Sequence, residues 1–298
     1  MLTVLVTGAT GGIGLETATV LARMGHSVII HGRDARKGES ALAAVRAVAS
    51  SAAGASNTAP VRYLQADFAS LAQVRNLAAE VLATVPRLDV LINNAGCGNF
   101  SRSVTVDGYE RTFAVNHLAP FLLTRLLLDR LGQSAPARIV NVASRAHRNQ
   151  EIDFDDLMSV RGYRVMRTYG RSKLANILFT RTLARRLAGS NVTANSLHPG
   201  LIATGIGQTN PLARLVWKLV VLARGGISVQ EGARTSVYLA TSPEVEGRSG
   251  SYYAKCKLAQ LQTRAEAVTD EVDERLWKVS EQLVGLPCGA AALDSRRL

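Results

Sequence analysis

The chain opens on a strand-like run, Leu2 to Val6, that passes straight into Thr7-Gly8-Ala9-Thr10-Gly11-Gly12-Ile13-Gly14 and then into a helical stretch, Leu15 to Met24. A short Val/Leu run of this kind suits a strand buried on both faces. Strand, glycine loop and helix in that order are the start of a βαβ unit, which directs the chain toward an α/β fold with a parallel sheet. Gly8, Thr10, Gly11, Gly12, Ile13 and Gly14 allow a turn tight enough for the backbone to approach a pyrophosphate, and the helix N-terminus favours its charge. The spacing is Gly-x-x-x-Gly-x-Gly rather than Gly-x-Gly-x-x-Gly. A plain tight turn is the competing reading, and the complete βαβ unit that follows weighs against it.

Ser27 to His31 is the next strand, and its end is where an adenosine ribose sits in such folds. An acidic residue there bonds the ribose hydroxyls of NAD, whereas an arginine accommodates the extra phosphate of NADP. This chain has His31-Gly32-Arg33-Asp34, with Lys37 one turn on. Gly32 stands at the usual acidic position, so Arg33 and Lys37 point to NADP, and Asp34 reads as a cap for the following helix. The alternative is that Arg33 is an ordinary surface charge.

The pattern then repeats. Ala35 to Ala49 is an Ala-rich helix, the stretch from Ser50 to Pro60 a surface loop, and Val61 to Ala66 a third strand ending at Asp67-Phe68. Asp67 is placed to accept from an adenine amino group, or to cap a helix starting near Ser70, with Phe68 beside it. Leu88 to Ile92 is a fourth strand, ending in Asn93-Asn94-Ala95-Gly96. Small residues there let the backbone pass close to a cofactor, and asparagines can brace neighbouring strands. Val106 to Leu131 is a long helical pattern interrupted by Pro120, which frees a carbonyl near Asn116 and marks a local distortion. Arg138 to Ala143 is a fifth strand that delivers Ser144 to the crevice where ligands of open α/β sheets bind. No Asp-His partner is placed to activate Ser144, so its role is hydrogen bonding to a substrate oxygen.

Thr168 to Leu187 is an amphipathic helix carrying Tyr169 and Lys173 on one face, four residues apart. A phenol titrates near about 10, and an ammonium held beside it lowers that value toward the range a general acid/base needs. Alone this spacing is common, and an ordinary helix surface is the bland reading. Asn191 to Leu197 is a sixth strand, followed by His198-Pro199-Gly200 and then Thr204. The Pro199-Gly200 turn would fold over a nicotinamide, with Thr204 placed to bond its carboxamide or the phosphates. Leu212 to Leu222 reads as an amphipathic lid over an apolar pocket, with contact to a membrane surface as the weaker alternative. A helix from Val229 to Leu239, a last strand near Ser251 to Tyr253 and a helix near Asp270 to Leu283 follow; the segment from Pro287 reads as a disordered tail.

Composition excludes other classes. At 298 residues and 47% hydrophobic, with no internal repeat and no second dinucleotide loop, the chain suits one globular domain. No apolar run approaches the roughly 18 residues of a transmembrane helix. Cys97, Cys256 and Cys288 stand at unrelated spacings, which argues against disulfides and zinc and for a reducing, cytoplasmic setting. His117, His147 and His198 lack metal-ligand companions, and no metal is expected. The formal charge of +12 comes from dispersed arginines without a dense basic block, so a solvated surface outweighs nucleic-acid binding.

Together, Thr-Gly-x-x-x-Gly-Ile-Gly at Thr7 to Gly14, Asn93 to Gly96, Tyr169 to Lys173 and Pro199-Gly200 resemble the short-chain dehydrogenase/reductase family over about Leu2 to Leu286. The stretches Val115-Asn116-His117-Leu118, Arg138 to Ser144, Tyr169 to Asn176, His198 to Gly200 and Leu276 to Glu281 are most similar to its retinol dehydrogenase-like branch. The resemblance implies a Rossmann-type doubly wound parallel sheet of about seven strands in one domain, residues 1–286, with a lid over 205–228. It implies a tetrad of Asn116, Ser144, Tyr169 and Lys173, in which Asn116 keeps a water and Lys173 also holds the nicotinamide ribose. It implies an NADPH-binding set of Gly8, Thr10 to Gly14, Arg33, Lys37, Asp67, Phe68, Asn94, Ala95, Gly96, Tyr169, Lys173, Pro199, Gly200 and Thr204. The expected activity is that of a ketoreductase or alcohol dehydrogenase on a bulky apolar carbonyl or alcohol, retinoid-, steroid- or polyketide-like. A non-catalytic dinucleotide sensor is the alternative. Members of the branch that sit in membranes carry an N-terminal apolar anchor; none is seen here, so a soluble enzyme is expected, as a homodimer or homotetramer.

Overall fold

The computed structural model describes residues 1–53, 59–201 and 226–287. The chain runs β1 (Thr3–Val6), α1 (Gly12–Arg23), β2 (Ser27–Gly32), α2 (Ala35–Ala53), β3 (Val61–Gln65), α3 (Leu71–Thr84) and β4 (Val90–Asn93). It continues with α4 (Arg111–Phe113), a π-helical segment (Ala114–Leu118), α5 (Ala119–Gln133), β5 (Ala137–Val142), α6 (Val165–Arg186) and β6 (Val192–His198). After residue 225 come α7 (Val229–Thr241), β7 (Tyr252–Ala254), β8 (Lys257–Leu258) and α8 (Asp270–Leu283). The sheet order is β3-β2-β1-β4-β5-β6-β7-β8, parallel except for the β7–β8 pair. Sequence pattern points to about seven strands; the eighth is the two-residue β8, too short to leave a periodic signal.

Strand side chains alternate between two cores. Val4, Val6, Val28, Ile30 and Ile92 join the core that includes the α1 and α2 residues Leu21, Ala22 and Val45. Leu5, Ile29, Leu91 and Ile139 join the core that includes α3, α5, α6 and α8 residues, among them Phe121, Phe179 and Trp277. With both faces covered, continuous apolar runs form the strands. The order reverses between β1 and β4, which opens a crevice at the carboxyl ends of the strands.

Much of the arginine excess is structural. Arg181 and Arg185 on α6 contact Asp273 on α8, each at 2.9 Å, and Arg186 reaches Glu274 at 2.6 Å. This lattice sits over an aromatic cluster in which the Trp277 ring packs 5.1 Å from Phe121 and 5.9 Å from Phe179. Helix α8 is thus joined to α6 by these ion pairs.

Two buried histidines carry a stability consequence. His31 is 3% exposed and His117 is fully buried; burial is the main cause that holds each down to about 4 from 6.5. Both fold neutral, whereas the unfolded chain protonates them below 6.5, so their stability contribution is fully present above that value and lost as pH falls through 4. Each shift corresponds to about 3 kcal/mol. The thermal midpoint therefore drops on acidification from about pH 7 to about pH 5, measured by far-UV circular dichroism; a flat midpoint over that window contradicts the assignment.

Candidate active site

The glycine loop sits at the carboxyl end of β1. Gly8 has φ 63°, and a Cβ there would lie 2.7 Å from the Ala95 Cα, so the β4 loop packs directly on it. A Cβ on Gly14 would meet the Gly8 carbonyl oxygen at 2.3 Å and Asn94 Nδ2 at 2.4 Å. Asn94 Nδ2 donates to the Thr7 and Gly8 carbonyls at 2.8 and 3.1 Å, and Asn93 Nδ2 donates to Asn141 Oδ1 at 2.8 Å. These are the bracing bonds the sequence suggests. Gly11 is the α1 N-cap without a side-chain cap, and a Cβ there would meet nothing within 4 Å. Free amides at a helix N-terminus facing open space fit a pyrophosphate.

At the end of β2, a Cβ on Gly32 would lie 2.3 Å from the Thr10 methyl, so Thr10 fills the space an acidic side chain would need. Arg33 and Lys37 are exposed beside it. Asp34 caps α2 as the sequence suggests, its Oδ1 accepting from the Lys37 amide at 3.0 Å, and that bond draws its carboxyl below the usual range. Asp67 does not cap α3: Ser70 does, accepting from the Gln73 amide, while Asp67 accepts from the Ala69 amide at 3.0 Å and stands 3.7 Å from Arg111. The Phe68 ring is buried and stacked 4.4 Å from His31.

Asn116 lies within the π segment. Pro120 has no N–H to return to the Asn116 carbonyl, and the Ala119 amide instead reaches back five residues to Ala114. The Asn116 side chain, fully buried, accepts from the Cys97 amide at 2.7 Å and donates to the Cys97 carbonyl and to Ser172 Oγ, both at 2.9 Å. Ser172 Oγ in turn donates to the Tyr169 carbonyl at 2.7 Å. This clamp ties the β4 loop to α6 and is invisible in sequence, because half of it is backbone. The Pro120 signal indicates only that the helix distorts.

Ser144 follows β5 and caps a short 3₁₀ turn, Arg145–His147, accepting from the Ala146 amide at 3.2 Å. Tyr169 and Lys173 project from α6 toward it. The Lys173 ammonium donates to the Val142 carbonyl at 2.9 Å and lies 5.8 Å from the Tyr169 ring centroid. Burial holds Lys173 down to about 8. The expectation of an acidified phenol is overturned: burial pushes Tyr169 up to about 12, and the neighbouring Ser144 hydroxyl, which draws it down, only partly offsets this. Desolvation outweighs the ammonium because the ammonium sits beside the ring, on a carbonyl, rather than at the hydroxyl.

Pro199 and Gly200 follow β6, where the Gly200 amide donates to His198 Nδ1 at 2.9 Å. Thr204 and the Leu212–Leu222 segment lie outside the described residues, as does most of the 205–228 lid. Among the described residues there is no cluster of metal-ligating side chains and no helix long and apolar enough to cross a membrane.

The short chain dehydrogenase family model matches residues 2–214. Retinol dehydrogenase 14 of Homo sapiens is 47% identical over 95% of this chain and 86% of its own length. Retinol dehydrogenase 12 of Mus musculus is 43% identical with the same coverage. A solved structure from Mycobacterium Paratuberculosis superposes with TM-score 0.72 at 33% identity, covering 97% of this chain and 96% of that one. With the glycine loop, the reversed strand order and the Ser144–Tyr169–Lys173 grouping, these likenesses show that the chain belongs to the short-chain dehydrogenase/reductase family, enzymes that use a nicotinamide dinucleotide, and is similar to its retinol dehydrogenases.

Proposed function

We propose that this protein is an NADPH-dependent reductase of aldehydes or ketones on bulky apolar molecules, with alcohol oxidation as the reverse reaction. The observation that carries the reading is the convergence of the Tyr169 phenol, the Ser144 hydroxyl and the buried Lys173 amine beside an open glycine cradle. The reduced dinucleotide, when bound, supplies the hydride. Gly11 to Gly14 would hold its pyrophosphate, Arg33 and Lys37 its extra phosphate, and Lys173 its nicotinamide ribose.

In this reading Ser144 and Tyr169 hydrogen-bond the carbonyl oxygen, and the phenol gives up its proton as alkoxide character develops. The phenol, pushed up to about 12 by burial, is protonated at neutral pH and has a proton to donate. Lys173 restores the proton, and the Asn116 carbonyl, left without its helical partner by Pro120, holds the water that connects Lys173 to solvent. Support for an apolar substrate comes from exposed Phe100, Val106, Val160 and Met166. They lie on two segments joined by the Tyr163 hydroxyl, which donates to the Asn99 carbonyl at 2.6 Å.

The experiment is a panel of apolar aldehydes and ketones assayed with NADPH and NADH. NADPH is consumed with at least one of them, and Arg33→Ala raises the KM for NADPH by about tenfold or more while leaving that for NADH within about twofold, as expected for a lost charge-assisted phosphate contact. Equal sensitivity of the two cofactors to Arg33→Ala contradicts the phosphate reading.

A further inference from the structure

Large exposed apolar side chains gather at one place on the carboxyl edge of the sheet. Phe100, Val104 and Val106 lie on the segment that leaves β4, Val160 on the segment between β5 and α6, and Met166 in the first turn of α6. Hydrogen bonds join these segments into one face. The Tyr163 hydroxyl donates to the Asn99 carbonyl at 2.6 Å, Arg102 Nε to the Met158 carbonyl at 3.1 Å, and the Glu110 amide to Met158 Sδ at 3.4 Å. Single apolar residues on a surface are ordinary, whereas a joined group marks an interaction site.

The two valine tips are held by their own turns. Val106 stands on a hairpin-like loop closed by the Val104–Glu110 bridge, in which the Thr105 amide donates to the Tyr109 carbonyl at 2.8 Å and Gly108 has φ 84°. The buried Asp156 carboxylate accepts from the Val160 and Arg161 amides at 2.7 and 3.0 Å. Val106 is 85% exposed and Val160 67% exposed. Side chains this bare protrude, whereas the walls of a peptide groove shield one another. Protruding apolar tips suit a deformable apolar phase that closes around them.

The charge of the face is mainly positive. Arg102, Arg161, Arg164 and Arg167 are exposed, and none forms an ion pair among the described residues. The exposed carboxylates of 99–107 and 155–167 are Asp107, which accepts from the Leu71 amide at 2.9 Å, and Asp155. An arginine can lay its stem along apolar surface and keep its guanidinium at the polar boundary.

We infer that this face docks the protein on an anionic lipid bilayer, with Phe100, Val106, Val160 and Met166 entering the acyl boundary and the four arginines meeting the headgroups. The +12 charge of the chain adds attraction at longer range. Both segments leave the edge of the sheet where the crevice opens, so an apolar substrate dissolved in the bilayer would meet it there. The docking itself does not depend on the reductase reading.

The test is flotation of the full chain, without dinucleotide or substrate, with vesicles of phosphatidylcholine alone or mixed equally with phosphatidylserine. Val106→Ser/Val160→Ser/Met166→Ser removes apolar area and keeps every charge, and Arg102→Gln/Arg161→Gln/Arg164→Gln/Arg167→Gln does the reverse. Met24→Ser/Leu82→Ser makes a like apolar change at the far ends of α1 and α3, on the opposite edge of the sheet. The wild type binds the mixed vesicles, the serine and glutamine variants each bind them about tenfold or more weakly, and Met24→Ser/Leu82→Ser binds like the wild type. Val106→Ser alone, at the barest tip, weakens binding in the same direction and covers a triple variant that misfolds in circular dichroism. A wild type that ignores the mixed vesicles overturns the inference. Binding unchanged in the serine variants is attraction to charge alone and overturns it too, as does an equal loss in Met24→Ser/Leu82→Ser. Polyglutamate bound through the arginines as tightly as the mixed vesicles assigns the face to an acidic protein partner instead. Docking as expected by a protein that reduces no carbonyl supports the face and overturns only the reductase reading.

Discussion

Tyr169→Phe lowers kcat for carbonyl reduction by about three orders of magnitude, the scale of a lost general acid. The substitution removes one oxygen from a half-buried ring and leaves its neighbours in place. Lys173 keeps its bond to the Val142 carbonyl, and Asn116 keeps its bonds to Cys97 and Ser172. Ser144 remains, but a serine hydroxyl that already accepts from the Ala146 amide can polarise a carbonyl without readily supplying a proton. Dinucleotide binding persists, because the cradle of Gly8 to Gly14 lies at the end of β1 and does not involve the phenol. The measurement is steady-state reduction alongside a fluorescence titration with reduced dinucleotide. A Phe variant turning over near the wild-type rate removes Tyr169 from the chemistry; one that also loses dinucleotide binding shows a structural defect instead.

Trp277→Ala destabilises the fold by about 3–5 kcal/mol, the cost of emptying a large buried aromatic site. Trp277 is 1% exposed and packs on Phe121 and Phe179, so it joins α8 to α5 and α6. Its indole Nε1 donates to Glu281 at 2.8 Å, and Glu281 also pairs with buried Arg125. Arg125 and Arg186 stack over the indole at 5.0 and 4.6 Å. Truncation therefore opens a cavity and strips a hydrogen bond from a buried ion pair in one step. Because α6 carries Tyr169 and Lys173, the loss reaches the candidate site through the helix that positions it. Urea denaturation followed by circular dichroism measures the change. A loss under about 1 kcal/mol means that α8 is peripheral to the fold.

How far the sequence reveals this molecule depends on whether a feature is local. Helix α8 is legible near Asp270 to Leu283 because its periodicity is strong; in the structure Thr269 caps it by accepting from the Val272 amide. The helix around Asn116 starts later than its apolar pattern suggests. Val106 to Glu110 form a turn through Gly108, φ 84°, and the buried Glu110 caps α4 by accepting from the Thr112 and Phe113 amides. Glutamate is an uncommon cap, so the sequence carries little warning. Helix α1 begins earlier than expected, since Gly12, Ile13 and Gly14 themselves make its first turn.

At the candidate site, the spacing of Tyr169 and Lys173 correctly places both on one helix face, yet the proton affinities follow from burial, which spacing cannot express. The Asn116–Cys97 clamp depends on chain segments distant in sequence and on backbone atoms. The close-packed glycines Gly8, Gly14 and Gly32 are legible because a missing side chain is itself a signal, and the structure shows which neighbour would occupy each space.

The proposed reaction is hydride transfer from a nicotinamide to an apolar carbonyl with Tyr169 as proton donor. Its most direct test is reduction of an apolar aldehyde by wild-type protein with NADPH deuterated at the transferring carbon, the alcohol product being weighed by mass spectrometry. The alcohol formed by the wild type is heavier by one deuterium, and Tyr169→Phe does not form it. Alcohol without the label, or labelled alcohol formed equally well by the Phe variant, contradicts it.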